Sequence, residues 1–242
     1  MENNSLPGSQ WRGKLWYAYG TSMTSDEYGM YARYLEQLSG LNLVNCGAPG
    51  QGITEGIGGY SSRAEVRRRA MDPNDGKKEA DLITLEVGPN DSGATLGTIY
   101  DTGTDTFCGC LNQVIRFLQA NTDAQIVVMS MTGSRWGTPD PSDRFTPERR
   151  TAAPAGEPYT RFEMNRAIRD VSALNGACYI PVAESCGLSI ARMGREQRYV
   201  RDNIHHMPAG AWNVAQFIWS RLRNIPLWYT EAPGGGKEES DG

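Results

Sequence analysis

Leu15-Trp16-Tyr17-Ala18-Tyr19-Gly20-Thr21-Ser22-Met23-Thr24 passes from five apolar or aromatic residues into a Gly-Thr-Ser-Met-Thr turn. A short apolar run of this kind predicts a buried strand, and Gly20 allows a sharp turn that projects the Ser22 hydroxyl. Apolar runs recur at residues 41–44, 81–87, 125–131 and 177–182. Helix-like stretches separate them. Residues 28–38 carry Tyr31, Tyr34, Leu35 and Leu38 at helical spacing, with Gly40 as a C-cap. A basic helix is expected over 63–71, amphipathic ones over 107–120 and 161–174, and a closing one over 209–222. Strands alternating with helices predict a parallel sheet covered on both faces. Right-handed crossovers then place the strand C-terminal ends on one edge, where sites form in open α/β folds. Ser22, Gly50 and Asn90 each follow one of the first three strands.

The chain has 242 residues, enough for one large α/β domain. The expected organisation is an N-terminal extension over 1–13, one α/β domain over 14–230, and a Gly- and charge-rich disordered tail over 231–242. A net charge of −4 argues against nucleic acid or an anionic membrane as partner, since both call for a basic face. No apolar run approaches the roughly 18 residues of a membrane span. Residues 1–10 are polar and lack an apolar leader core, so the expectation is a cytoplasmic chain, or a secreted one if a leader has been removed. The apolar segment 225–229 is expected to dock on the body or on a second subunit, which leaves a homo-oligomer open. Five cysteines, Cys46, Cys108, Cys110, Cys178 and Cys186, are odd in number and match no zinc spacing; reduced, largely buried thiols are expected.

Both histidines lie in one run, Asp202-Asn203-Ile204-His205-His206. At this spacing on a turn the Asp202 carboxylate can reach the His205 imidazole and fix its tautomer, leaving the other nitrogen for a serine. With Ser22, these are the parts of a Ser-His-Asp hydrolase, whose triad is defined by geometry rather than by chain order. His206 is the rival base. A metal is not expected, because no further histidine or carboxylate stands at ligand spacing. Each remaining motif has a plain reading beside the chemical one. Gly20-Thr21-Ser22 is also an ordinary turn or helix cap. Gly88-Pro89-Asn90-Asp91 is a turn by composition, or a turn that offers the Asn90 amide to an oxyanion while Asp91 holds the loop. Gly47-Ala48-Pro49-Gly50 is a flexible loop, or one that offers the Gly50 N–H.

Taken together, the four segments resemble the SGNH, or GDSL-type, hydrolase superfamily, over about residues 14–224. Its blocks appear in order as Gly20-Thr21-Ser22-Met23-Thr24, Gly50, Gly88-Pro89-Asn90-Asp91, and Asp202 to His205 with Gly210 five residues on. That glycine selects His205 over His206. Thr21 stands where the family usually has Asp. The resemblance implies a three-layer α/β/α sandwich with a central five-stranded parallel sheet. It implies acyl transfer by Ser22, His205 and Asp202, with Ser22, Gly50 and Asn90 as the oxyanion hole and no cofactor.

Within such a family the acyl length is open, and lipases, lysophospholipases and arylesterases are the alternatives. The long segment 133–158 is polar and arginine-rich, whereas a long acyl chain needs an apolar channel. Trp136 and Arg135 offer a stacking face and planar donors suited to a sugar, so a carbohydrate O-acetylesterase is expected, with 133–158 as a lid or a plain crossover. Two readings from other classes stand beside it. One is a catalytically inactive, carbohydrate-binding domain of this fold. The other is a flavodoxin-like nucleotide or signalling domain, which would need a phosphate loop or acidic ligands after the first strand.

Overall fold

The computed structural model describes residues 9–55, 64–91, 93–130, 159–188, 199–201 and 204–227. Asp202, Arg135, Trp136 and the segment 133–158 lie outside the described residues.

Five strands form one parallel sheet in the order β2-β1-β3-β4-β5. They are β1 (Leu15–Gly20), β2 (Asn42–Gly47), β3 (Leu82–Glu86), β4 (Gln125–Met129) and β5 (Cys178–Ile180). The register runs Leu15 to Asn42 through Gly20 to Gly47 on one side of β1, and Trp16 to Leu82 through Tyr19 to Leu85 on the other. Successive side chains on a strand face opposite ways, and the packing follows that alternation. Tyr17, Tyr19, Ile83, Leu85, Ile126 and Val128 enter one core, under α2 (Glu65–Ala70), α3 (Phe107–Asn121) and α4 (Arg161–Leu174). Trp16, Ala18, Leu82, Val127 and Met129 enter the other, under α1 (Tyr31–Ser39), α5 (Val182–Ser185) and α6 (Pro208–Leu222). Both faces of the sheet are therefore covered, and the architecture is the expected α/β/α sandwich.

The helices owe their ends to local chemistry. Thr106 caps α3 by accepting from the Gly109 N–H, and Thr160 with Glu163 forms a full capping box on α4. Gly40 closes α1 in the left-handed region. No disulfide joins the five cysteines; Cys108, Cys110 and Cys186 are buried. Trp11, read as part of the N-terminal extension, is fully buried and donates its indole N–H to the Leu222 carbonyl at 3.0 Å. Ile225 and Leu227 pack on the α6 side of the sheet, so this part of the closing apolar segment docks on the body. Among the described residues no helix is long and apolar enough to cross a membrane.

The fifth strand stops at Ile180, short of the expected 182, and gives way to α5. Three further departures bear on the site. The first helix begins at Tyr31 rather than at residue 28, because Met30 adopts a left-handed backbone (φ 60°) just before it. This leaves Tyr28 in the connecting turn. The second strand extends to Gly47, beyond its apolar core. The third departure is a two-stranded antiparallel ribbon, β6 (Val200–Arg201) with β7 (His205–His206), where only a turn was expected.

Candidate active site

The C-terminal edge of the sheet gathers three loops. After β1, the chain makes one tight turn. The Thr24 and Ser25 N–H groups donate to the Thr21 carbonyl at 3.1 and 3.3 Å, and the Ser25 hydroxyl donates to the Ser22 carbonyl at 2.9 Å. Gly20 and Gly47 are required by close approach rather than by flexibility. A Cβ on Gly20 would fall 2.0 Å from Thr24 Oγ1, and one on Gly47 would fall 2.4 Å from the Ser25 nitrogen.

A buried carboxylate holds this turn. Glu86, at the end of β3, accepts at Oε2 from the Thr21 N–H (2.7 Å), the Thr21 hydroxyl (2.8 Å) and the Thr24 hydroxyl (3.1 Å). Burial pushes its pKa up to about 7, against the three donors that favour the charged form. Its Oε1 is buried without a hydrogen-bond partner among the described residues. Thr21 thus supplies two donors to Glu86, where the family's usual Asp side chain would bring a second carboxylate.

The loop after β3 is clamped by Asp91, which is fully buried. Its carboxylate accepts from the Ile53 and Thr54 N–H groups, the Thr54 hydroxyl and, at 3.3 Å, the Gly88 N–H. Asp91 therefore ties this loop to the one after β2. Asn90 donates one amide hydrogen to the Gln51 carbonyl at 2.9 Å, next to Gly50, whose backbone is left-handed (φ 75°). The second Asn90 amide hydrogen is not used in this bond. The backbone N–H groups of Ser22 and Gly50 have no acceptor among the described residues.

His205 reaches this edge from the β6–β7 ribbon. Its Nε2 lies 2.9 Å from Ser22 Oγ. His206, the next residue, faces inward, where burial first and then the neighbouring His205 push its pKa down to about 3. The period-two alternation of a strand thus separates the two histidines, one toward the serine and one into the protein. Gly210, on α6, passes the ribbon so closely that a Cβ there would lie 2.1 Å from the Tyr199 carbonyl oxygen. Tyr28 packs against the His205 ring in a tilted arrangement, with centroids 4.9 Å apart and planes at 36°.

The edge therefore brings Ser22, Gly50, Asn90 and His205 into one set of linked loops. Asp202, Arg135 and Trp136 fall outside the described residues. Sequence reading did not single out Glu86, Tyr28 or Arg201. An acidic residue inside an otherwise apolar strand, at Glu86, was the available signal for the first. A separate cavity of about 370 Å³, lined in part by Gln125, Ile126, Gly176 and Ala177, opens at the opposite end of the sheet and touches none of these groups.

No curated protein matches the chain. Solved structures similar to it include a protein of Lactobacillus plantarum, 24% identical, covering 89% of this chain and 99% of that one at a TM-score of 0.69. An acetylxylan esterase of Geobacillus stearothermophilus, crystallised as a catalytic mutant, is 13% identical and covers 93% and 100% at 0.59. A carbohydrate acetylesterase family member of Sinorhizobium meliloti is 14% identical and covers 87% and 97% at 0.55. These likenesses establish the fold. The sequence profile of the GDSL-like Lipase/Acylhydrolase family matches residues 17–212. With most of its length matched, the chain belongs to the GDSL-like lipase/acylhydrolase family, and it is a serine hydrolase that acts on esters.

Proposed function

We propose that the protein is a short-chain esterase that removes acetyl groups from a carbohydrate or a similar alcohol, with Ser22 as nucleophile and His205 as base. The 2.9 Å contact between Ser22 Oγ and His205 Nε2 carries this reading. His205 takes the Ser22 proton as Oγ attacks the ester carbonyl. The oxyanion is held by the free N–H groups of Ser22 and Gly50 and by the second Asn90 amide hydrogen. His205 then gives its proton to the departing alcohol oxygen. A water, deprotonated by the same imidazole, releases acetate from Ser22. Asp202 is assigned by its sequence position to orient His205 and to stabilise its charged form.

The acetyl preference is supported by the polar composition of 133–158 and by the names of the two carbohydrate-ester relatives. Arg135 and Trp136 are the candidates for sugar contact on sequence alone. Hydrolysis of p-nitrophenyl esters from acetate to palmitate, wild type beside Ser22→Ala, tests both levels. Activity that peaks at acetate and falls by about 10⁴-fold or more in the variant is the expected outcome. A peak at long chains overturns the acetyl preference, and undiminished activity in Ser22→Ala overturns the nucleophile.

A further inference from the structure

The ribbon that delivers His205 also delivers a cation. Arg201 is the register partner of His205 in the β6–β7 pair, so the two side chains leave the same face of the ribbon. Val200 and His206 are buried on the other face, while His205 is half-buried and Arg201 exposed. Tyr28 stands against both. Its ring centroid is 4.9 Å from that of His205 and 5.3 Å from the Arg201 guanidinium carbon. Among the described residues Arg201 makes no ion pair; it donates to the Glu27 carbonyl at 3.5 Å. Asp26 holds Arg33 through both oxygens, and Glu27 raises the Tyr28 hydroxyl pKa by hydrogen-bonding to it.

We propose that Tyr28 and Arg201 form the wall that recognises the leaving alcohol, and that the preferred alcohol carries a carboxylate. The inference rests on the esterase reading above. His205 must hand its proton to the departing oxygen, so the alcohol lies against the imidazole. The Tyr28–Arg201 pair stands against that same imidazole, so it lines the place assigned here to the alcohol. An aromatic face holds the guanidinium by a cation–π contact and leaves its in-plane N–H donors for a bidentate partner. A carboxylate fits that fork geometrically and balances its charge. Esters of uronic acids or hydroxy acids share this chemistry.

The test compares kcat/KM for 4-acetoxybenzoate with that for neutral 4-acetoxybenzamide, whose leaving groups differ in charge. Wild type is expected to favour the anionic ester. Arg201→Gln lowers the anionic-to-neutral ratio about tenfold, mainly through KM, while Arg201→Lys keeps part of it. Tyr28→Leu, which removes the ring under the guanidinium, lowers the ratio in the same direction. Rising salt erodes the wild-type ratio, because the wall is exposed. Mono-p-nitrophenyl succinate, charged on the acyl side, gains nothing from Arg201 relative to p-nitrophenyl butyrate. A ratio unchanged by Arg201→Gln, or an equal effect on the succinate, overturns the inference. Ser22-dependent turnover without a charge preference overturns this inference alone. The absence of Ser22-dependent turnover on every ester, p-nitrophenyl acetate included, overturns the esterase reading and this inference with it.

Discussion

Asn90 is assigned two duties with one amide group. Its hydrogen bond to the Gln51 carbonyl fixes the loop that presents Gly50, and the remaining hydrogen is the one assigned to the oxyanion. The two duties can be separated by measurement. Asn90→Ala should lower kcat on p-nitrophenyl acetate by about 10² to 10³, with KM little changed, since the donor acts on charge that develops only in the transition state. If Asn90 serves only to hold the loop, the variant should instead lose thermal stability and raise KM while kcat stays within a few-fold. Thr21 illustrates a different economy at the same scale. Its N–H and hydroxyl both reach Glu86, and its hydroxyl oxygen also accepts from the Met23 N–H at 3.2 Å. One short side chain thus organises the turn on which Ser22 sits.

At the scale of elements, the His205 ribbon depends on α6. Met207 donates its N–H to the Tyr199 carbonyl at 2.8 Å, and Gly210 passes beneath that same carbonyl with no room for a methyl group. Gly210→Ala should therefore push β6 and β7 away from the helix and pull His205 off Ser22. A stability loss of about 1–3 kcal/mol is expected, together with a fall in kcat greater than the stability loss alone produces at a temperature where the variant is folded. Urea unfolding and p-nitrophenyl acetate kinetics on one preparation check it; wild-type values for both would remove the steric account. The same elements mark what the sequence disclosed. Strand-turn-helix rhythm and the glycines at 20, 50 and 88 were legible because apolar runs and turns leave local signatures, whereas Gly210, inside α6, was marked by the family resemblance alone. The β6–β7 ribbon was not legible: two-residue strands have no periodicity to read, and they exist through contact with α6. Tyr28 was absorbed into a helical pattern that its own spacing permits. Only the left-handed Met30 backbone, a tertiary outcome, moves it out of α1 and against His205.

At the scale of the whole molecule, the site leaves a mark on stability through Glu86. Its folded pKa of about 7 lies above its ordinary 4.5, because burial outweighs the donors from Thr21 and Thr24. Asp91, also fully buried, adds like-charge repulsion, and the Tyr31 hydroxyl reaches the same pocket through Thr24. A raised acid binds its proton more tightly folded than unfolded. Its contribution is therefore fully present below about pH 4.5 and is lost as pH climbs through 7. A shift of this size corresponds to about 3 kcal/mol, a sizeable part of the roughly 5–15 kcal/mol that holds a domain together. Glu86→Gln removes the titration while its side-chain carbonyl can still accept from the turn. Its amide hydrogens would meet the site where Oε1 finds no partner, so at pH 5 the variant should be no more stable than wild type. Between pH 5 and pH 8 the difference should move in the variant's favour by up to about 3 kcal/mol. The Asp91 repulsion is one of the causes of that shift and is already contained in this figure. Parallel curves for the two proteins in urea unfolding across that range would mean that Glu86 is already charged at pH 5. The three donors would then outweigh burial, and the turn under Ser22 would be held by a carboxylate throughout the working pH range.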